Sequence, residues 1–362
     1  MVIQGFDNGK VYFSGNLKNV AITGVNEYVD IDLNVAGTDV MSHERFYPVA
    51  GKVLLADFGK LIDCYFESAD FSMPGDVYTG NARNVRIYCR DKGTTAESST
   101  TVWYSKNRVS TVSPEPGMIY SWYKSINTAI GREEYVPFFA DAATTLHIGV
   151  AHVRNGVEKY TRKSVTLGGQ TGMLAFRVSP AKIASLSGVS ADAILYYDVT
   201  VTAGTGSTDR IRYYMDKHYY RNTSNFIYLN SFGLPETIAF TGLVEYNPEL
   251  NGEIVSLMQE DMRMDPELSD VRTVNSGYLS IAKYKALTDM VTSADIRVYD
   301  TAGQRKIVVT DVDLLHRQSG SEKFSVTVTY RPAERGYMEF ERICNDRIGI
   351  FDRTFDYKIG RA

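Results

Sequence analysis

The feature that most limits how this chain can fold is a series of short runs rich in β-branched and aromatic residues, separated by Gly, Pro, Asn and Asp. Such runs predict β-strands that are joined by tight turns. In Phe324–Tyr330 the apolar residues alternate strictly with Ser and Thr, which indicates a sheet with one buried face. The sequence therefore predicts a mainly β chain of antiparallel sandwich-like or barrel-like domains with a few short helices.

The domain boundaries are predicted from length and from turn-forming residues. A chain of 362 residues is long enough for about two or three domains, each with its own core. The clearest boundary is Ser113–Gly117, where two prolines and a glycine should end regular structure. We expect a β domain with one helix over residues 1–115 and a β-sandwich-like domain over residues 116–222. A domain with a hairpin and a helix on a sheet should follow over residues 223–335, and a C-terminal tail over residues 336–362.

Two short helices are predicted before residue 190. Asp57 precedes a single apolar stripe in residues 58–65 and is expected to cap a helix there. Ser179 is expected to cap a second helix, with Pro180 at its first position. The small polar residues of Asp91–Thr101 predict an exposed loop between strands.

The third domain is predicted to begin with a hairpin and to carry one longer helix. Asn225–Asn230 and Glu236–Thr241 have strand composition and flank a turn with Gly and Pro. The helix is expected over about Gly277–Val291, with Asn275 or Ser276 as its cap. Its apolar face should pack on the sheet formed by the strands that follow.

Composition excludes some classes of protein. The net charge of −4 gives no sign of nucleic-acid binding, and no apolar run is long enough to span a membrane. The first residues lack the pattern of a signal peptide, and three widely spaced cysteines do not form a disulfide framework. We therefore expect synthesis in a reducing cytoplasm. The 25 tyrosines fit half-buried sheet surfaces, or a contact surface for a sugar or a partner.

A search for chemical sites finds no motif that defines one. His147 and His152 are expected on opposite faces of a strand, which does not suit a shared metal. No nucleophile motif or phosphate-binding loop is present, so we expect a protein that is not an enzyme and that has no cofactor or metal. A glycosidase remains an alternative, because a carboxylate pair cannot be recognised from sequence alone. The acidic candidates are Asp261, Asp265, Glu267, Asp311 and Asp313.

Part of the sequence resembles a known class of protein. NFIYLNSFGLPETIAFTG is followed, after a predicted helix, by DIRVYD, KIVVTDVDLL and FSVTVTYRPAERG. This layout, over roughly residues 210–336, resembles tail or baseplate-type structural virion proteins of phages and prophages of Bacteroidetes. The resemblance implies a structural subunit that is made in the host cytoplasm, assembles into a ring-like homo-oligomer and contacts other tail proteins of the virion.

If the chain assembles in this way, two segments are expected at subunit contacts. One is the hairpin turn with Phe232 and Leu234. The other is the C-terminal tail, in which large apolar residues alternate with charged ones and would dock on a neighbour. The tail residues expected at contacts are Arg335, Phe340, Arg342, Ile343, Phe351 and Phe355.

A second hypothesis is a glycan-binding or receptor-binding β-sandwich protein, on a virion or on a bacterial surface. It requires exposed aromatic side chains flanked by polar groups. Doublets of aromatic residues supply the candidates, although one member of each doublet should point into the core. The candidate contact residues are Trp103, Trp122, Tyr123 and Tyr220.

Overall fold

The structure is a computed structural model that describes residues 1–66, 75–106, 109, 113–203, 209–257, 260–300, 303–313 and 325–334. Over these residues the chain is mainly β, with several antiparallel sheets and few helices. The predicted fold class is therefore confirmed. The predicted C-terminal tail lies outside the described residues.

The first part of the chain forms two sheets around one core. Its elements are β1 (Val2–Gln4), β2 (Val11–Phe13), β3 (Asn19–Thr23), β4 (Val29–Val35), β5 (Thr38–Phe46), β6 (Lys52–Ala56), α1 (Phe58–Asp63), β7 (Val77–Thr79), β8 (Ala82–Asp91) and β9 (Thr94–Trp103). The sheet orders are β2-β9-β8-β4-β5 and β1-β3-β6. Ile31 and Ile87 from the first sheet share a buried cluster with Ile22 and Val53 from the second.

The expected loop over Asp91–Thr101 is wrong, because most of it belongs to β9. This strand pairs with β8 in antiparallel register from Ala82↔Trp103 to Asp91↔Thr94. Ser98 and Thr100 are buried in line with Val102. Small polar residues thus occupy inward positions of a strand, and the β-branched threonines suit a strand.

The middle part of the chain forms a second pair of sheets. Its elements are β10 (Ser125–Thr128), β11 (Tyr135–Ala140), β12 (Thr144–Arg154), β13 (Val157–Leu167), β14 (Gly172–Arg177), α2 (Pro180–Ser187), β15 (Ile194–Ala203) and β16 (Arg210–Met215). The sheet orders are β10-β16-β15-β12-β13 and β11-β14-β7. Ile148 and Val199 meet Phe138 and Phe176 in the core between them. Strand β7, which precedes the predicted boundary at residue 115, belongs to this second sheet.

The last part of the chain contains the largest sheet. Its elements are β17 (Ser224–Leu229), β18 (Pro235–Phe240), β19 (Val244–Tyr246), β20 (Glu249–Leu257), β21 (Glu260–Ser269), β22 (Arg272–Asn275), α3 (Ile281–Val291), β23 (Ile296–Asp300), β24 (Gly303–Asp313) and β25 (Thr327–Pro332). Seven strands follow the order β18-β17-β23-β24-β25-β22-β19, and β20 pairs with β21 in a separate ribbon. The predicted hairpin is confirmed as β17–β18.

Helix α3 packs on this sheet as predicted, since Leu287 and Met290 share a buried cluster with Phe226 and Val328. Its predicted start is wrong. The capping residue is Ser280, whose side chain accepts a hydrogen bond from the backbone of the third helical residue. The expected caps are used elsewhere. Asn275 Oδ1 accepts a hydrogen bond from Gly277 N in the turn before the helix, and Ser276 Oγ accepts one from Val326 N beside β25.

The two shorter helices differ in their caps. Ser179 caps α2 through a 3.4 Å hydrogen bond from Lys182 N to its Oγ, as predicted. Asp57 stands at the start of α1 but makes no capping bond with its side chain. Its backbone is left-handed, with φ of 49°, and its carboxylate lies 3.5 Å from Lys60 Nζ. The predicted cap at Asp57 is therefore wrong.

A shared hydrophobic cluster joins the three parts of the chain. It contains Phe13 and Trp103 from the first part, Tyr120 from the middle part, and Leu229 and Leu234 from the last. The turn of the β17–β18 hairpin thus inserts between the domains. A core of this kind fixes the domains against one another through burial of large apolar side chains.

This cluster corrects one expected subunit contact. Leu234 has 0% of its surface exposed, so it is not available to a neighbouring subunit. Phe232 is half-buried, and its ring centroid lies 4.8 Å from that of Tyr120 and 5.5 Å from that of Phe13. Leu234 makes its contacts within the chain, and a subunit contact at Phe232 stays a prediction.

Candidate functional site

The outer face of the five-stranded middle sheet carries an exposed group of aromatic and charged side chains. Leu146, Ile148 and Val150 of β12 are buried in the core, so the residues between them point outward. The same alternation on β13, β15 and β16 brings further side chains to this face. We call the following set the tyrosine platform: Tyr160, Arg162, Tyr196, Asp198, Arg212 and Tyr214.

Strand register places the three tyrosines in one row. Tyr160 lies opposite Ala151, Ala151 lies opposite Tyr196, and Tyr196 lies opposite Tyr214. The rings of Tyr196 and Tyr214 are 6.0 Å apart between centroids. Tyr160 and Tyr214 have 48% and 43% of their surfaces exposed. The row therefore presents aromatic surface to solvent across four neighbouring strands.

The floor of the platform is made by small residues of the central strand β12. At Gly149, a Cβ atom would lie only 1.9 Å from Tyr160 Oη, because the Tyr160 ring extends over this glycine. Ala151 occupies the next outward position in the tyrosine row. Glycine at position 149 therefore lets the Tyr160 ring lie over the strand, where a larger side chain would displace it.

An ion pair next to the tyrosine row holds one arginine in a fixed plane. Arg212 donates two hydrogen bonds to Asp198, of 2.7 and 2.8 Å, in a bidentate arrangement. Its guanidinium carbon lies 4.4 Å from the ring centroid of Tyr196 and 5.8 Å from that of Tyr214. The hydrogen bonds to Asp198 raise the pKa of Arg212 further. Stacking and pairing together orient this arginine.

Beyond the charged row, the face carries imidazole and hydroxyl groups. His147 contacts Ser164 Oγ at 3.1 Å through Nδ1 and Thr202 Oγ1 at 3.0 Å through Nε2. His147 and Ser164 border a depression of about 360 Å³ whose lining also includes Thr200. Hydroxyl, imidazole and guanidinium groups beside exposed aromatic rings are the features of a site that binds a polar ligand with an apolar face.

The outer face of the N-terminal sheet is built differently. On β4, Asp30 and Asp32 point outward, and each meets an arginine across the sheet. Arg45 donates to Asp30 at 2.8 and 3.1 Å, and Arg90 donates to Asp32. Hydrogen bonding from Arg45 lowers the pKa of Asp30. We call the following set the arginine–aspartate face: Asp30, Asp32, His43, Arg45, Arg86, Tyr88 and Arg90.

The aromatic residues predicted as ligand contacts are divided between core and surface. Trp103 and Tyr123 are buried, with 9% and 3% of their surfaces exposed, so their prediction as contact residues is wrong. Trp122 is exposed, and Lys285 Nζ lies 5.1 Å from its ring centroid. Tyr220 is partly exposed and donates a 2.8 Å hydrogen bond to Asp216. Neither Trp122 nor Tyr220 lines the depression of the platform.

The remaining residues that the sequence singled out lie outside the described residues or are exposed acidic residues. Arg335, Phe340, Arg342, Ile343, Phe351 and Phe355 lie outside the described residues, as do the side chains of Asp265 and Glu267. Asp261 is exposed and accepts a hydrogen bond from Ser256. Asp311 and Asp313 are exposed residues of β24.

Two buried carboxyl groups lie between the middle and last domains. Glu134 accepts a 2.8 Å hydrogen bond from Thr237, and Glu236 accepts hydrogen bonds from Ser121 and Asn230. Burial raises the pKa of Glu134 to about 7 and that of Glu236 to about 8, the latter helped by the charge of Asp289. Only 4% and 3% of their surfaces are exposed, so no substrate can reach them. We call this pair the junction carboxyls.

Within the described ranges, no three His, Cys, Asp or Glu side chains are grouped in a way that would hold a metal ion. His147 and His152 lie on opposite faces of β12, as predicted, with the first exposed and the second buried. No helix in the described part of the chain is long and apolar enough to cross a membrane.

Sequence reasoning missed the tyrosine platform, although a signal for it was present. The doublets Tyr196–Tyr197 and Tyr213–Tyr214 each place one ring outward and one inward. The inward rings of Tyr197 and Tyr213 stack at 4.7 Å, while the outward rings form part of the platform. The doublets indicate two outward tyrosines, but only the strand register shows that these rings lie side by side.

Comparisons with known proteins give no identity. No protein-family model matches the chain, and no curated protein matches it. Among solved structures, a pair of tandem Ig domains of titin matches at 10% identity and a TM-score of 0.25, over 59% of this chain and 96% of that one.

Two further solved structures illustrate the same level of likeness. The N-terminal four Ig domains of Dscam1 isoform 1.9 match at 9% identity and a TM-score of 0.17, over 83% of this chain and 71% of that one. The protein SGBP-B of a Bacteroides ovatus mixed-linkage glucan utilization locus, in complex with a mixed-linkage heptasaccharide, matches at 10% identity and a TM-score of 0.15, over 75% and 61%. TM-scores this low carry no argument about this chain.

Proposed function

We propose that this chain is a saccharide-binding protein that uses the tyrosine platform as its contact surface. The observation that carries the proposal is the row formed by Tyr160, Tyr196 and Tyr214 beside the Arg212–Asp198 pair. The proposal involves binding and no chemical step.

The physical reason is the match between the platform and the two kinds of surface on a sugar. The C–H face of a pyranose ring is apolar and packs on an aromatic ring, while its hydroxyl groups need hydrogen-bond partners. Tyrosine supplies rigid contact area at low entropic cost. The guanidinium of Arg212 and the hydroxyls near His147 supply the polar contacts.

A structural role in a virion stays a prediction from the sequence resemblance. It is compatible with saccharide binding, because a receptor-binding virion protein would combine both. The ring-like oligomer, the contacts with other tail proteins and the localisation in a virion are all parts of that prediction. Saccharide binding at the exposed face of the middle sheet can be tested at named residues, so the experiment below addresses it.

The test is a glycan array probed with the full chain and with two single variants. Tyr214→Ala removes one ring of the platform, and we expect it to reduce the signal for every bound glycan. Tyr88→Ala is the matched control, since it removes an outward tyrosine from the arginine–aspartate face of the N-terminal sheet. Absence of any bound glycan, or equal loss with both variants, would contradict the proposal.

A further inference from the structure

We infer that the saccharide held by the tyrosine platform is acidic, with carboxylate groups on separate sugar units. This inference rests on the proposed function and adds the chemical class of the ligand. It is carried by the distribution of charge around the depression on the platform, and by the separation of the cationic side chains that border it.

The lining of the depression is rich in cations. Arg162 and Arg210 belong to it, and Asp198 is the one carboxylate among the described residues that line it. Both oxygens of Asp198 accept hydrogen bonds from Arg212, so its charge is already balanced within the protein. The remaining cations therefore give the depression a net positive charge that favours an anionic ligand.

The two exposed arginines lie on opposite sides of the platform. Arg162 is on the edge strand β13, and Arg210 is on β16, with β12 and β15 between them. Three strand spacings separate their backbones by about 14 Å. A chain of sugars that crosses the strands can place one carboxylate at each side.

Arginine also suits this ligand in its geometry. A guanidinium group binds a carboxylate through two parallel hydrogen bonds, as Arg212 already does with Asp198. Arg162 lies near Tyr160, with 5.6 Å between its guanidinium carbon and the ring centroid. A sugar that stacks on Tyr160 would therefore have Arg162 within reach of its carboxylate.

Single-stranded nucleic acid is the competing polyanion, because bases also stack on tyrosine beside arginine. The net charge of the whole chain is −4, which gives no wider basic surface for a phosphate backbone to follow. The inference rests on the two exposed arginines of the depression. A saccharide with spaced carboxylates requires no more than that.

The experiment measures binding to a panel of acidic polysaccharides, which contains polygalacturonate, alginate, hyaluronan and chondroitin, and to the carboxyl-reduced neutral form of each. The proteins are the full chain, the double variant Arg162→Gln/Arg210→Gln, and the control Arg86→Gln on the arginine–aspartate face. We expect the full chain to prefer an acidic polymer, and the double variant to lose about tenfold or more in affinity for it. The control should bind as the full chain does.

Other outcomes separate this inference from the proposed function. If neutral and acidic forms bind equally, and if only Tyr214→Ala weakens them, the acidic class is wrong and saccharide binding stands. If a neutral glycan binds and no acidic polymer does, the inference is again wrong. Preference for a single-stranded oligonucleotide over every polysaccharide would overturn both.

Discussion

The arginine–aspartate face and the tyrosine platform lie on the outer surfaces of two five-stranded sheets and use the same residue types. In the N-terminal sheet, the strand β4 carries Asp30 and Asp32 outward, and arginines on both neighbouring strands pair with them. In the middle sheet, the strand β12 carries Gly149 and Ala151 at its outward positions. The first face satisfies its own charges, whereas the second leaves rings and cations exposed.

The difference teaches that the outward residues of one interior strand decide what a sheet face can do. Carboxylates there attract arginines from both sides, and the resulting ion pairs cover the sheet. Small residues leave a floor, and the side chains of the flanking strands become its walls. Sheets with similar composition on their outer faces can therefore differ in function.

The largest expected effect comes from giving the middle sheet the pattern of the N-terminal sheet. Gly149→Asp places a carboxylate directly opposite Arg162 and next to Asp198, and its Cβ displaces the Tyr160 ring. We expect affinity for the acidic saccharide to fall about a hundredfold, which corresponds to about 2.7 kcal/mol. Isothermal titration calorimetry measures this change.

The matched control for that substitution is Asn34→Asp, which adds the same charge at an outward position of β4. It should leave saccharide affinity unchanged. Equal affinity of Gly149→Asp and the unmodified chain would show that the floor of the middle sheet takes no part in binding.

The second prediction concerns the pH dependence of stability, which should come from the junction carboxyls and not from the ion pairs of the two faces. Burial raises the pKa of Glu236 to about 8, so this group takes up a proton on folding. Its contribution to stability is greatest at low pH and falls as pH rises through about 8. We expect the unmodified chain to lose about 2 kcal/mol of unfolding free energy from this group between about pH 6 and pH 8.

Chemical denaturation at several pH values tests this. Glu236→Gln should reduce the dependence in that range, to which Glu134, with a pKa raised to about 7, also contributes. Asp30→Asn should leave it unchanged, because hydrogen bonding to Arg45 lowers the pKa of Asp30. The same slope in the Glu236 variant as in the unmodified chain would contradict the assignment of the titration to the junction.

The third prediction compares the two ion pairs directly. Asp198 is buried and forms a bidentate pair with Arg212. Asp198→Asn removes the carboxylate charge from this pair. We expect a loss of about 2 kcal/mol of unfolding free energy, since a hydrogen-bonded charge is left without its counter-ion. Asp30→Asn on the more exposed pair should cost clearly less. Equal losses in both variants would show that the two faces do not differ in this respect.

The smallest effect is expected at the arginine–aspartate face itself. Arg90→Gln removes a surface ion pair with Asp32, in which both side chains are partly exposed to solvent. Stability should change by less than about 1 kcal/mol, and saccharide affinity should not change. A loss of saccharide binding in this variant would show that the ligand contacts the N-terminal sheet. The proposed difference in function between the two faces would then be wrong.

Most of the strands could be predicted from the sequence because each depends on local alternation. The hairpin β17–β18 and the Ser179 cap depend on residues within a few positions of each other, and both are confirmed. Strand β9 was missed because its inward positions are Ser98 and Thr100, which carry no apolar signal. The capping bond predicted at Asp57 and the predicted start of α3 were wrong, and Asn275, an expected cap of α3, accepts a hydrogen bond in a turn instead.

The platform could not be predicted, because it depends on register between strands distant in sequence. Tyr160, Tyr196 and Tyr214 come into one row through pairings that the local pattern does not specify. The rule that one member of an aromatic doublet points outward holds for the strand doublets Tyr196–Tyr197 and Tyr213–Tyr214. It was applied to doublets that lie elsewhere, such as Trp122–Tyr123.

The most direct measurement is residue-level footprinting with hydroxyl radicals, read by mass spectrometry, with and without the glycan that the array identifies. Both faces are then compared in one sample. We predict that Tyr160 and Tyr214 become protected when the glycan is bound and that Tyr88 reacts equally in both states. Protection of Tyr88, or unchanged reactivity of Tyr160 and Tyr214 at saturation, would contradict binding at the tyrosine platform.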